Sequence, residues 1–595
     1  MVFRYRVTTR PPGHGWSATV DTPLQLTHER VDDVPLLLGF LIKLGFPELL
    51  DRHLPAHPLH QGLSNGWLVT VWITSILSQA DHCKSHVRDW ATDLHHTLES
   101  ATGQPFRPVD FTDDRLTLVL QRLSDPTAWS LLEADLWQST CDIYQLPVER
   151  IRLDSTTSYG YHTVTEGGLM QLGHSKDHRP DLPQLKLMAA AAEPTGLLVA
   201  SDVHPGDAAD DPLYLPLIRR VRELLDQTGL LDTGDCKMAA LETRGEIDGC
   251  GDFYLTPRPM TGETQKQFEA WVDAAISGPK REELVEIRIG SGQVGTGYEF
   301  ERIQTAPWAS TEHTWTERVL IVRSESIAQN QAQALERRLA KAEAAIRGLT
   351  PPTGRGKTQY TTGWELERAV AAVMAEYAVE GLLEANWSRE EICQTRYVGR
   401  GRGGPNRPTK TEWTIRYQIT DVRHHTEAIQ DRFARLGWRA LVTNVPAQRL
   451  TLVEAVLAYR GGWCVERDFH QLKDHPLGIS PLFVRRDDQV VGLTRLLTLA
   501  LRGLTLFEVL VRRGQEQAGE KLKGLYAGQA SRTTEAPTAV RVLKAIAKAE
   551  ITLTRVETRE RYCWHLTPLP ELLHRVLAYL GLPETVYTRL VINSS

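Results

Sequence analysis

The chain has 595 residues, 41% of them hydrophobic and 24% charged, which excludes a dominantly disordered polypeptide and predicts about three to five domains. Sixty-eight Lys and Arg against 74 Asp and Glu leave a net charge of −6, which neither announces nor excludes nucleic-acid binding, because a basic face can sit inside a neutral total. Seven cysteines without a C-x-x-C pair read as reduced cytosolic thiols, and an N-terminus without an apolar run predicts no secretory signal.

Residues 1–27 carry Pro11-Pro12 and no periodicity. From 28 to 150, apolar residues recur at three-to-four spacing, which predicts a helical module. Asp113 or Asp114 is the expected cap of its DRLTLVLQRL helix. At Ile151 the pattern changes. IRLDSTTSYGY, QLKLMAAAAE and GLLVASDVHPG read as strands, with a turn at Pro194–Gly196. DPLYLPLIRRVRELLDQTG reads as an amphipathic helix, GLLDTGDCK as a short strand, KMAALETRGEID as a helix and DFYLTP as a strand. This order predicts an α/β or α+β domain with a mixed sheet.

Residues 262–436 break that rhythm. VEIRIGSG, YEFERIQT and WTERVLIVRS alternate like antiparallel strands, and a polar, charge-laced helix follows. A Pro/Gly/Lys linker, another helix and the strand TEWTIRYQIT complete the block. The strand ALVTN then leads into one long helix, TLVEAVLAYRGGWCVERDFHQLKD, and the remainder reads as mostly helical. Val490–Val511 is the most apolar stretch; its Arg495, Arg502 and Glu508 argue for a buried helix and against a membrane span.

Three acids stand out by position. Asp154 follows an apolar approach on the first strand, Asp235 ends GLLDTGDCK, and Glu466 lies in the long helix. Catalytic groups in open α/β sheets gather near strand ends, and converging carboxylates suit a hard cation such as Mg²⁺ or Mn²⁺. Asp232, Asp202 and Asp207 are alternatives for the second acid; Asp235 is preferred because Gly234 and the following helix start make a strand-to-helix turn. At 100° per residue, Tyr459, Trp463, Glu466, His470 and Lys473 share one helix face. A solvated charged face is the plainer reading of that stripe. Val456, Leu457 and Val465 lie off it and can anchor the helix.

The segment from Tyr459 through Glu466 to Lys473 resembles the signature of DDE transposases of bacterial insertion sequences: Tyr, two residues, Arg, three residues, Glu, six residues, Lys. Tyr459, Glu466 and Lys473 match in type and spacing, whereas the Arg position holds Gly462. Arg460 or Arg467 is the expected substitute. LDSTT resembles the family's first-Asp strand, GDCKMAA its second-Asp turn, and SKDHRPDLPQLKL a segment of one transposase branch. The resemblance covers roughly residues 30–510. It implies an RNase H-like mixed-sheet catalytic core at 151–261 and 437–511, with a β-rich insertion at 262–436. A helical N-terminal domain at 1–150, for DNA binding or dimerisation, and a helical C-terminal region at 512–595 complete the expected layout. The 231 positions between Asp235 and Glu466 leave room for that insertion.

The resemblance further implies that Asp154, Asp235 and Glu466 are catalytic and hold two Mg²⁺ ions, with Mn²⁺ as a substitute. Its expected partners are the terminal inverted repeats of an element and target DNA, bound by a homodimer in the bacterial cytoplasm at the nucleoid. Tyr459, Lys473, His470 and Arg460 are expected to hold DNA. So are Lys176 and Arg179, beside His178, and the acid-free Gly/Pro loop carrying Arg396, Arg400, Arg402, Arg407 and Lys410. Arg485 and Arg486 form a third cationic cluster. Trp308 and Trp315 are candidates for base stacking, with core packing as the plainer reading. His82, Cys83 and His86 lack a fourth metal ligand at useful spacing. No nucleotide-binding glycine loop is present, and neither a nucleotide cofactor nor a membrane partner is expected. Two rival functions remain: a catalytically decayed, transposase-derived DNA-binding protein, and an RNase H-like nuclease that never joins strands.

Overall fold

The computed structural model describes residues 25–591, except 355, 358, 403, 475, 530 and 558–561. Two units emerge: Met1–Tyr254 with Ala306–His313 and Tyr459–Ser595, and Leu255–Thr305 with Thr314–Ala458.

In the first unit, strand β1 (Gln25–Arg30) precedes seven helices: α1 (Val34–Lys43), α2 (Phe46–His53), α3 (Asn65–Gln79), α4 (Lys84–Asp93), α5 (His95–Thr102), α6 (Asp113–Leu123) and α7 (Pro126–Tyr144). α3 is apolar on nearly every face and is correspondingly buried. The expected α6 cap falls one residue earlier, at Thr112, and Asp113 and Asp114 occupy the first turn, where the helix dipole favours them. The core follows as β2 (Arg150–Tyr159), β3 (Gln184–Glu193), β4 (Leu197–Pro205), α8 (Asp211–Leu225), β5 (Leu231–Thr233) and α9 (Leu241–Gly249). Its strand order is β4-β3-β2-β5. β3 pairs antiparallel with both neighbours, and β5 runs parallel to β2, so the sheet is mixed. Every residue of β3 is buried, which is why it reads as a continuous apolar run and not as an alternation. Strand β6 (Phe253–Pro257) crosses into the second unit.

The second unit contains α10 (Glu263–Ile276), β7 (Val285–Ile289), β8 (Gly292–Trp308), β9 (Thr311–Ser324), α11 (Glu325–Gly348), α12 (Gly363–Glu376), β10 (Leu383–Tyr397), β11 (Thr409–His424), α13 (Thr426–Ala434) and β12 (Trp438–Thr443). Its strands run in the order β6-β12-β9-β8-β7. β10 and β11 form a separate antiparallel ribbon. The base of that ribbon joins α11 and α12 in a local core of Leu335, Leu339, Ile346, Leu366, Leu383 and Val422. The far end holds the basic loop, so Arg396 and Lys410 are paired strand residues and not part of a flexible loop.

The single long helix expected after β12 is two helices, α14 (Leu452–Arg460) and α15 (Trp463–Lys473), broken at Gly461-Gly462. The first unit then continues with α16 (Asp487–Ala518), α17 (Ala539–Ala547), β13 (Thr552–Glu557), β14 (Tyr562–Leu566), α18 (Glu571–Tyr579) and α19 (Thr585–Thr588). The C-terminal region is therefore not purely helical, and the N-terminal one is not either. β13 pairs with β1 on one side and β14 on the other, so the two ends of the chain share a sheet. α16 is long and apolar enough to cross a membrane, but 94% of its most apolar window is buried. Its charges are paired. Arg502 meets Glu133, Arg495 donates to the carbonyls of Leu123 and Asp125, and Glu508 accepts from Arg467.

Candidate active site

Asp154 sits on β2, where the strand alternation puts Arg152 and Asp154 on one face. Its Oδ1 accepts the Ser155 N–H at 2.7 Å and lies 3.4 Å from the Lys176 ammonium. Lys176 also donates to the Ser155 carbonyl and hydroxyl, at 2.5 and 2.8 Å. Burial raises the Asp154 pKa, Lys176 opposes that, and the charge of Asp235 raises it further.

Asp235 lies two residues past β5. The parallel pairing aligns Ile151 with Asp232 and Arg152 with Thr233, an offset of 81 residues. Asp235 lies two residues past the last paired position of β5, the strand neighbouring that of Asp154, and its charge acts on Asp154. Asp235 Oδ1 accepts the Tyr214 hydroxyl at 2.7 Å and the Lys237 N–H at 2.9 Å. Tyr214, on α8, is fully buried. Burial first, then the charges of Asp235 and Asp154, push its phenol far above the ordinary value, so it stays a protonated donor. In sequence Tyr214 reads as one more core residue of an amphipathic helix, so its role carries no signal there.

The alternative acids sit elsewhere. Asp232 is buried and is pushed up to about 8 by that burial and by Asp252, against the pull of Arg222. Asp202 pairs with Arg220, and Asp207 is exposed past β4.

α15 packs against β2 and β3. A Cβ at Gly462 would lie 3.3 Å from Nη1 of Arg152, and at the other end of the helix Lys473 pairs with Asp177 at 2.5 Å. Asp177 is the chain neighbour of Lys176, so the helix runs from beside Arg152 to beside the loop that touches Asp154. Cys464, Val465, Asp468, Phe469 and Leu472 face inward, while Glu466 and His470 are exposed. The charge of Asp235 thus acts on Asp154, and Glu466 is exposed on the helix packed against the strand of Asp154. The expected five-residue face is split, because Tyr459 belongs to α14. Its carbonyl accepts from Arg152 at 3.5 Å, and its ring lies 6.0 Å from the same guanidinium. The Trp463 side chain lies outside the described residues.

The remaining basic residues differ in exposure and in the partners that hold them. Arg467 is held by Glu508 at 2.8 Å, which removes it as the substitute for the Arg position; Arg460 is exposed. Arg179 is held by Asp181 at 2.8 Å, and His470 by Asp474 at 3.1 Å. Arg486 pairs with Asp488 at 2.6 Å. On the β10–β11 ribbon, Arg400 and Arg402 are exposed at the tip, while Arg396 and Lys410 flank Glu412 at 3.8 and 3.4 Å. Arg407 donates to the carbonyls of Val398, Gly399, Gly401 and Arg402. It shapes the tip from within, a role the bare charge pattern does not reveal.

Trp315 is buried in the second unit. Trp308 packs on Gly249, where a Cβ would come within 2.6 Å of its ring, and His313 bonds Asp248 beside it at 2.7 Å. Asp81, Cys83 and His86 have donor atoms within reach of one ion, but Asp81 already accepts from Cys83 N–H and meets His86 at 2.6 Å. His82 instead donates to the Leu477 carbonyl at 3.0 Å.

The profile of the family described as transposase DDE domain matches residues 149–502. The chain belongs to that family. The match starts one residue before β2 and ends inside α16, so it takes in Asp154, Asp235, Glu466 and the whole second unit. DDE transposases generally use divalent metal ions. No curated protein matches the chain. Among solved structures it is similar to a piggyBac transposase synaptic complex with hairpin DNA, at 8% identity and a TM-score of 0.36, over 96% of this chain and 88% of that one.

The donor set suits such an ion. Asp235 raises the cost of ionising Asp154, and a divalent cation held by both carboxylates would relieve that cost.

Proposed function

We propose that this DDE transposase cuts the ends of a bacterial insertion sequence and joins them to target DNA. The observation that supports the reading is the parallel β2–β5 pairing, which leaves Asp235 just past the end of the strand beside that of Asp154, with α15, bearing Glu466 and Lys473, packed against β2. Asp154, Asp235 and Glu466 would hold two Mg²⁺ ions, with Mn²⁺ as a substitute; the ions would supply Lewis-acid stabilisation of charge on the phosphodiester oxygens. The reaction class is hydrolysis of a phosphodiester at the element end. Water attacks the phosphorus and breaks its bond to O3′, leaving a 3′-hydroxyl and a 5′-phosphate; attack of that 3′-hydroxyl on a target phosphodiester then forms a new P–O3′ bond and displaces the target strand's own 3′-oxygen as a hydroxyl.

The chain's own residues position the DNA. Lys473 and Tyr459 flank the acids along α15 and α14 and would contact terminal phosphates, Lys as a point charge and Tyr through its hydroxyl. The ribbon tip presents Arg400 and Arg402, which would contact the phosphate backbone of a duplex. Two ends must be cut together, which calls for a homodimer on DNA; an isologous pair is the commonest arrangement. The cytoplasm, at the nucleoid, is where such a protein meets its substrate.

The deciding test is cleavage of element-end DNA by Glu466→Gln. Loss of metal-dependent cleavage with retained end binding is expected. Undiminished cleavage by this variant would falsify the assignment.

A further inference from the structure

We infer that Tyr214 is the positioning residue for the Asp235 carboxylate, setting its rotation for a cation shared with Asp154. The inference rests on the metal-site reading above and adds to it a residue outside the acidic set.

Asp235 stands on a turn and not in a strand, so the backbone ladder that holds Asp154 does not hold it. Its side chain is fixed instead by two donors that converge on Oδ1. One is the N–H of Lys237, which belongs to the same turn and moves with it. The other is the Tyr214 hydroxyl, which comes from α8 and is anchored separately, because the whole residue is buried. The second donor ties the carboxylate to the core through α8. A buried tyrosine hydroxyl requires a partner, and this one is spent on an acid at the mouth of the site instead of on a backbone carbonyl.

The turn is built to admit the ring. A Cβ at Gly234 would lie 2.9 Å from Met238 Sδ and 3.2 Å from Tyr214 Cε1. The absence of a side chain at Gly234, just before Asp235, therefore leaves room for the phenol to pass close to the turn. α8 is itself docked on β3 and β4, so the hydroxyl position is set by the rigid part of the sheet. Metal-binding sites depend on such outer partners, whose loss typically costs about 10–100-fold in metal affinity.

The test is Mn²⁺ binding to the full chain without DNA, read by the electron-spin-resonance signal of free Mn²⁺. Tyr214→Phe keeps the ring and removes the one bond. It is expected to weaken Mn²⁺ binding by about tenfold or more. Combining it with Asp235→Asn should add nothing to the loss seen with Asp235→Asn alone. An ultraviolet difference spectrum gives a readout that a merely structural tyrosine would not move. Mn²⁺ should perturb a buried phenol in the parent, and that feature should be missing from Tyr214→Phe. Parental Mn²⁺ affinity in Tyr214→Phe, with affinity lost in Asp235→Asn, overturns the inference while sparing the metal site. Parental affinity in Asp154→Asn and Asp235→Asn as well removes the metal site, and the role of Tyr214 with it.

Discussion

Lys176 offers a sharp test of where the cation sits. Its ammonium lies 3.4 Å from Asp154 Oδ1. An ion bound to that oxygen at about 2.1 Å would therefore lie no more than about 5.5 Å from the ammonium. At that distance a divalent ion and a unit positive charge repel by about 1.5 kcal/mol even at the dielectric constant of water. Lys176→Met keeps the aliphatic stem and removes the charge, so it should tighten divalent-ion binding by about tenfold. The effect needs low ionic strength, roughly 0.01 M, where the Debye length of about 30 Å leaves it unscreened. It also needs a pH of about 8, on the alkaline side of the ordinary carboxylate range, because Lys176 helps keep Asp154 ionised. Water-proton relaxation by bound Mn²⁺ measures the affinity. The phosphate contact expected of Lys176 predicts weaker DNA binding by the same variant. Unchanged or weaker Mn²⁺ binding would refute the reasoning and place the ion away from Asp154.

Three further outcomes are expected. Gly462→Arg sets a second guanidinium against that of Arg152 and should destabilise the fold by about 1–3 kcal/mol in urea denaturation, whereas Gly462→Ala, whose Cβ sits at 3.3 Å, should cost less than about 1. Replacing Arg400 and Arg402 together by Gln should flatten the dependence of log K on log salt for duplex binding by about 1.8, with Mn²⁺ affinity unchanged; an unaltered slope removes the tip from the interface. The Asp232 carboxyl is raised from 3.8 to about 8 in the fold, chiefly by burial. The fold thus favours its protonated form, and that contribution is lost as pH rises from about 4 through about 8; Asp232→Asn should flatten the decline in melting temperature across this window.

The strands that frame the site were legible because they are local patterns. IRLDSTTSYGY and QLKLMAAAAE declare themselves by β-branched and apolar content, which puts Asp154 on a strand, within it and not at its end. What the pattern missed has physical causes. β10 is exposed on both faces over most of its length, so it shows no hydrophobic alternation to read. β13 and β14 make sense only beside β1, more than 500 residues away in sequence, and no local window contains that pairing. The break between α14 and α15 was invisible because the 3.6-residue period runs on through Gly461-Gly462, and Gly462 itself has helical φ and ψ. Tyr214 was hidden because burial alone accounts for an aromatic on the inner face of a helix.

The departure at Gly462 takes a different meaning once the packing is known. The resemblance reserves that position for an arginine, and neither substitute suggested by sequence order is placed at it: Arg467 is held by Glu508, and Arg460 lies on α14 before the break. The guanidinium that does stand at Gly462 comes from Arg152, across the sheet and two residues before Asp154. It is bonded to Glu193 at 2.8 Å and reaches the carbonyl and ring of Tyr459. A side chain larger than hydrogen at 462 would press on that group, so the glycine and the strand arginine belong together. A guanidinium beside Tyr459 is thus delivered by β2, but Glu193 holds it at 2.8 Å as Glu508 holds Arg467, so it does not stand in for the family's arginine. Gly462 is then a packing requirement set by Arg152 and is not by itself a sign of a decayed enzyme.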